Sequence, residues 1–272
     1  LSLQDERIEA FRRLHAEGCF VMPNPWDLGS AVALEGMGFE ALATTSAGQA
    51  WAIGRADGDV PRDETLEHLR QIADAVDVPL NADFQRGFAD DPEGVAANVK
   101  LAAATGVAGL SIEDSTGDAD EPLYELGLAV ERIRAARDAI DESGTGVLLT
   151  GRSEGFVVGR PDLEETIRRL QAYAEAGADC LYAPFISTTD QISAIVAAVS
   201  PKPVNLLVYA PFITVADAAS LGVRRISVGG ALARAAWHGA LAAAQEIRQE
   251  GNFSRLAGLP GLPDLNSLFD SR

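Results

Sequence analysis

The sequence predicts a (β/α)8 TIM-type barrel, and three observations carry that expectation. Short apolar strands alternate with amphipathic helices along the 272 residues, with no low-complexity linker between them. The strands number eight, which is the count that closes a parallel sheet into a barrel. No G-x-G-x-x-G follows the first strand, as a doubly wound dinucleotide-binding sheet would ask. The length suits one large domain spanning 1–272.

The opening stretch, 1–18, reads LSLQDERIEAFRRLHAEG. It is charged and amphipathic, without the apolar core of a signal peptide, and is read as a helix covering the barrel's bottom. Strands follow at 19–22, 40–44, 78–83, 108–113, 146–151, 178–183, 203–208 and 224–229. Each is nearly continuous in apolar residues, as a parallel strand covered on its outer face must be. Helices fall between them at 28–37, 63–76, 92–104, 124–141, 162–176, 189–199, 214–221 and 231–250. The clearest is 162–176, where Leu163, Ile167, Leu170 and Ala174 share one face. Asp162 can cap its start, and Gly177 ends it. Gly38, Gly106 and Gly222 stop other helices in the same way. The barrel thus occupies 19–250, and a helical tail over 251–272 is read as a packing or partner-facing segment.

Charge narrows the function. A net charge of −18 repels phosphate backbones and anionic surfaces, so nucleic acid and membrane are not expected partners. No apolar run reaches the roughly 20 residues that span a bilayer. Cys19 and Cys180 are too few for a disulfide framework and fit a reducing cytoplasm.

In a β/α barrel the chemistry lies at the C-terminal strand ends. There the sequence places Asn24, Trp26 and Asp27, then Thr44 to Gly48 with Asp57 further along that loop. Asn81 and Asp83 follow, then Glu113 and Asp114, Arg152 and Glu154, Asn205, and Gly229 with Gly230. Asp57, Asp83 and Glu113 come from neighbouring strands, with Asn81 beside them. Carboxylates brought together repel unless a cation lies between them. An all-oxygen donor set points to Mg²⁺, or Mn²⁺, rather than Zn²⁺. Asp27 and Asp114 are read instead as helix N-caps. His15, His68 and His238 fall in helices away from the strand ends and are expected at the surface or an interface. A Ser-His-Asp triad is therefore not on offer.

With those residues placed, the chain resembles the isocitrate lyase/phosphoenolpyruvate mutase superfamily. The resemblance covers about 20–245 and rests on NPWDLGSA (24–31), TTSAGQAWAIGRADG (44–58), NADFQRGF (81–88), LSIEDS (110–115), TGRSEGF (150–156), YAEAGADCLY (173–182) and RRISVGGALARAAW (224–237). It implies a barrel binding Mg²⁺ and a small anionic 2-oxo acid or its enolate. It implies that Asp57, Asp83 and Glu113 match the metal-binding acids, with Asn81 where many members have Asp. Ser46, Ala47 and Gly48 match a loop that holds the substrate carboxylate or oxyanion. Arg152 matches a substrate-contacting arginine, and Trp26 and Asn205 are assigned to the same pocket. A last helix exchanged between subunits, in dimers or tetramers, is also implied.

The departures matter as much. Isocitrate and methylisocitrate lyases carry a Lys-x-Cys-Gly-His loop after the Glu-Asp pair. Here that segment is STGDADEP at 115–122, short and acidic. Ala183, Pro184 and Phe185 stand where those enzymes have Glu or His. A retro-aldol cleavage needs a base, and only Glu154, Asp118 or Asp120 could serve. Decarboxylation needs an electron sink and a later proton. The expected function is a Mg²⁺-dependent lyase acting through a metal-stabilised enolate, with Arg152, Ser46 and Glu154 catalytic. The alternatives are P–C bond chemistry on phosphonopyruvate and a 2-oxo-acid-binding protein without catalysis.

Overall fold

A computed structural model describes residues 2–269. The strands are β1 Phe20–Met22, β2 Leu42–Ala43, β3 Leu80–Asp83, β4 Gly109–Glu113, β5 Leu148–Arg152, β6 Cys180–Tyr182, β7 Val204–Leu207 and β8 Arg225–Ser227. Each lies inside its expected segment or within one residue of it. They form one sheet in the order β1-β8-β7-β6-β5-β4-β3-β2 with every pairing parallel. The seam between β1 and β2 is bridged by Ala43 N–H donating to the Pro23 carbonyl at 3.1 Å. Asn24 tightens it from the side, donating to the Thr44 carbonyl and accepting from the Val228 and Gly229 amides, each at 2.9 Å. Asn24 is therefore a clasp of the barrel top.

The helices are α1 Leu3–Ala16, α2 Leu28–Gly36, α3 Ser46–Ala52, α4 Arg62–Ala75, α5 Pro92–Ala103, α6 Leu126–Ser143, α7 Leu163–Glu175, α8 Thr189–Val199, α9 Val215–Ser220, α10 Ala231–Glu250 and α11 Leu262–Ser267. One was not expected from the sequence. The short α3 follows β2 and is capped by Thr45, whose hydroxyl accepts from Gly48 N–H at 3.3 Å. Its seven residues carry no helical apolar stripe, so periodicity could not find it. Helix α11 falls in the expected helical tail, where Phe253, Leu259 and Leu262 are all exposed. The end of the predicted tail, 270–272, lies outside the described residues.

Side chains alternate along each strand. Leu42, Leu80, Leu110, Leu149, Leu181, Leu206 and Ile226 are buried in the apolar core. The opposite parity places Asn81, Ser111, Thr150, Asn205, Arg225 and Ser227, all buried and polar. The register then sets neighbours around the barrel: Glu113 pairs with Arg152, Arg152 with Tyr182, Tyr182 with Asn205 and Asn205 with Arg225. Stagger between strands thus brings residues of quite different sequence positions into one layer.

His15 corrects a sequence expectation. It is not a surface residue but lies partly buried in α1, its ring 4.5 Å from Phe11 and 5.1 Å from Phe20. Its Nδ1–H donates to the Phe11 carbonyl at 2.7 Å, so Nε2 is free to accept from Arg225 at 3.3 Å. Burial, and then the Arg225 charge, push its pKa down to about 3. The native imidazole thus stays neutral where the unfolded one would charge. Stability is fully present above the ordinary value of about 6.5 and is lost as pH falls toward 3. The slope from this group is at most about 1.4 kcal/mol per pH unit. Denaturant titrations of the parent and His15→Gln between pH 6.5 and 4 should diverge, the parent falling faster. Parallel curves would show that His15 does not titrate on unfolding.

Candidate active site

The site is organised on Arg152, the last residue of β5. Its Nη1 lies 3.3 Å from Asp83 Oδ1 and 3.2 Å from Glu113 Oε2, and its Nε contacts Glu154 Oε1. The guanidinium also lies over the Tyr182 ring, 5.3 Å from its centroid. Asp83 is held from a second side, its Oδ2 accepting from Ser46 N–H at 2.9 Å. Its own amide donates to Thr44 Oγ1 at 2.9 Å. Glu113 Oε1 accepts from the Ser115 hydroxyl at 2.7 Å. Asp57 approaches from the β2 loop and accepts a hydrogen bond from Ser46. Ser46 thus donates its amide to one acid and its hydroxyl to another.

Around one guanidinium the carboxylates are in excess. Burial pushes Glu113 upward against the pull of Arg152, and Asp83 adds to the rise. Burial likewise pushes Glu154 up to about 8 despite its contact with Arg152. Three acids share one positive charge, and their mutual repulsion favours protonation within the group. Asp57 is raised by burial in the cleft and by the Asp83 charge, although much of its surface stays open to solvent. Tyr182, buried beneath Arg152, is pushed up to about 12 and stays a phenol.

These groups border two connected spaces. An inner cavity of about 230 Å³ is lined by Ser46, Ala47, Asp83, Tyr182, Asn205 and Arg225, among others. An outer cleft of about 530 Å³ opens toward Asp57, Arg86, Glu113, Glu154 and the loop at 115–122. Arg152 borders both. A larger groove of about 780 Å³ lies against α10, but it is lined by Trp51, Tyr209, Trp237 and Leu241 and has no carboxylate. Chemistry belongs to the first two.

Other expected residues stand differently. Trp26 and Gly48 line neither space. They back α3, where a Cβ on Gly48 would come within 2.7 Å of Trp26 Cβ. Only glycine allows that approach. Asp27 caps α2, accepting from Ser30 N–H at 2.7 Å. Asp114 is not a helix cap. It points away from the barrel interior and accepts from Tyr173 Oη at 2.6 Å, Arg169 Nη1 at 3.1 Å and Glu154 N–H at 2.7 Å. Of the Ser46–Gly48 amides, two already have protein acceptors, Asp83 and Thr45. Tyr182 and Arg225 were missed by the sequence reading. Their signal was parity, since both share the inward side of their strands with site residues.

The donor chemistry suits a hard divalent cation. Among the described residues, no three or more His, Cys, Asp or Glu side chains form a ready metal cage. Asn81 lines the inner cavity with Asp57 and Asp83, its Oδ1 3.5 Å from Arg225 Nη1. The surplus of negative oxygen on Asp57, Asp83 and Glu113 fits an ion such as Mg²⁺, which keeps several waters and takes few direct carboxylates.

Fold and site together define a β/α-barrel enzyme whose chemistry lies at the carboxyl ends of its strands. The chain belongs to the phosphoenolpyruvate phosphomutase family, whose profile matches residues 11–248, within the isocitrate lyase/phosphoenolpyruvate mutase superfamily. It is 32% identical over 240 residues to an uncharacterised Mycobacterium tuberculosis protein, covering 88% of each chain. An oxaloacetate decarboxylase of Rhodopseudomonas palustris is 28% identical, over 72% of this chain and 68% of that one. Among solved structures, a Burkholderia cenocepacia protein provisionally assigned as a lyase/mutase shares 47% identity over 98% of each chain, with a TM-score of 0.95. A phosphonopyruvate hydrolase in complex with oxalate and Mg²⁺ shares 27% identity over 96% of this chain and 94% of that one, with a TM-score of 0.85. Members of the superfamily are carbon–carbon lyases and mutases. No helix among the described residues is long and apolar enough to cross a membrane.

Proposed function

We propose that this protein is a Mg²⁺-dependent lyase that decarboxylates or cleaves a small 2-oxo dicarboxylic acid, with oxaloacetate-like acids as its substrate class. The observation that carries this reading is the gathering of Asp83, Glu113 and Glu154 on the Arg152 guanidinium beside a small inner cavity. Burial pushes Glu154 up to about 8, a direction that favours an acid over a base at this position. Decarboxylation requires that polarity, since the carbanion equivalent left behind must be protonated. A retro-aldol cleavage would require a base, and the 115–122 loop supplies none near neutrality by its ordinary values.

Asp83, Asp57 and Glu113 would hold the cation, which when bound supplies Lewis acidity at the keto oxygen. Arg152 fixes the substrate carboxylate and is itself fixed by Asp83, Glu113 and Glu154. Ser46 sets the position of Asp83 through its amide and of Asp57 through its hydroxyl. The inner cavity of about 230 Å³ excludes large substrates and bulk water. Asn205 and Tyr182 shape its wall. The R. palustris decarboxylase supports the carbon–carbon reading.

The experiment is turnover of a 2-oxo-acid panel at saturating Mg²⁺, with isocitrate, methylisocitrate and phosphonopyruvate included. Oxaloacetate should release pyruvate, and isocitrate and methylisocitrate should not be cleaved. Inorganic phosphate from phosphonopyruvate would move the assignment to P–C chemistry. Oxalate binding with no turnover of any acid would make this a binding protein.

We further infer a homo-oligomer. Only Ala233 is buried along the 20 residues of α10, while Trp237 and Leu241 are 41% and 60% exposed. A helix with so little to cover in its own chain has its packing partner elsewhere.

A further inference from the structure

Arg225 is a buried charge on the cavity wall that no carboxylate among the described residues balances. It sits on β8 at 2% exposure, among the largest fully buried side chains, yet it borders the inner cavity. Its Nε donates to Asn205 Oδ1 at 2.8 Å and its Nη2 to Thr150 Oγ1 at 3.1 Å. Its Nη1 faces His15 Nε2 at 3.3 Å and Asn81 Oδ1 at 3.5 Å. Every one of these partners is neutral, and His15 cannot supply charge of either sign at neutral pH. Arg132, equally buried, is likewise held by neutral acceptors, the carbonyls of Arg86, Ala89 and Asp90, but it does not line the inner cavity; the two other guanidiniums near the site are paired. Arg152 meets three carboxylates, and Arg169 meets Asp114 and Glu165. No carboxylate lies within ion-pair distance of Arg225 among the described residues.

A buried charge without a counter-ion is costly, and four neutral acceptors lower that cost without cancelling the field. Nη2 has one further N–H with no oxygen or nitrogen acceptor among the described residues. A side chain that could have neutralised the guanidinium stands at position 81, where this chain has the neutral Asn81. An aspartate there would pair with Arg225 and remove the charge. The asparagine preserves it.

We propose that Arg225 makes the inner cavity an anion subsite that works without a metal, taking a small dianionic carboxylate by the charge at its floor. Asp57 and Asp83 also line this cavity, Asp83 being held by Arg152, whereas the cation without a carboxylate partner is Arg225. An anion reaching Arg225 therefore meets a favourable field that is weakly screened, because the surroundings are buried. This rests on the reading of the inner cavity as the substrate site, but not on the identity of the reaction.

The probe is oxalate, measured by calorimetry and thermal shift in excess EDTA and again in Mg²⁺. The parent should bind oxalate in EDTA. Arg225→Met should weaken that binding at least tenfold, and Arg225→Lys should retain most of it. Asn81→Asp keeps the arginine but supplies its counter-ion, and should also weaken EDTA-phase binding tenfold or more. That variant keeps the test open should Arg225→Met fail to fold. Equal metal-free affinity in the parent, Arg225→Met and Asn81→Asp would overturn the proposal. So would binding by the parent in Mg²⁺ only, which would leave the lyase reading standing. Absence of oxalate binding in both conditions would overturn the substrate site and this subsite together.

Discussion

Asp83→Ala is expected to abolish turnover while leaving the barrel folded. Asp83 ends a strand fixed on both sides by the sheet, and its two oxygens are committed to Arg152 and the Ser46 amide. Its removal loosens three things at once. The cation site loses its most firmly placed oxygen, Arg152 shifts toward Glu113 and Glu154, and the start of α3 loses an anchor. Loss of one preorganised electrostatic contact costs roughly 10²–10³-fold in rate, and here several go together. The fold should lose little, because removing one of several crowded carboxylates relieves repulsion as a hydrogen bond is lost. The melting temperature should move by only a few degrees, while Mg²⁺ no longer stabilises the protein in the presence of oxalate. A variant that is clearly destabilised yet still answers Mg²⁺ and oxalate like the parent would remove Asp83 from the site.

Asp114→Ala should do the reverse. Glu113 and Asp114 are consecutive, so their side chains leave opposite faces of the strand end. Glu113 turns in to Arg152, whereas Asp114 turns out to Arg169, Tyr173 and the Glu154 amide. The side chains of Arg169 and Asp114 are only 8% and 2% exposed. Alanine would leave a buried guanidinium and a buried hydroxyl without that acceptor. Breaking a buried pair from one side costs about 3–5 kcal/mol. For a domain of this size that is a fall of roughly 10 °C. Chemical denaturation measures it directly, and a change below about 1 kcal/mol would show that Glu165 and solvent replace Asp114. Residual activity in the folded fraction should also fall, since the Glu154 backbone loses its tether. The expected rate loss is smaller than for Asp83→Ala because no group touching substrate is removed.

The sequence by itself determined the barrel. Eight apolar strand segments, and glycines such as Gly177 and Gly222 placed after helices, are local signals, and local chemistry writes them. It also determined that Asp83, Glu113, Arg152 and Glu154 meet at one mouth, because in this fold the strand ends converge whatever the rest of the chain does. The tertiary structure alone decided how those residues are paired. Stagger of the strands set Arg152 among three acids, and strand parity turned Glu113 inward and Asp114 outward. The same stagger brought Asn81, and His15, 210 residues away in sequence, to the guanidinium of Arg225. Helix α3 formed with no periodic signal, held by the Thr45 cap and by Asp83 across the barrel mouth. The physical reason is the range of the forces. Propensity, capping and alternation act over a few residues and can be read along a chain. Burial of charge and the choice of counter-ion depend on what lies within a few ångströms in space, and only the closed barrel fixes that.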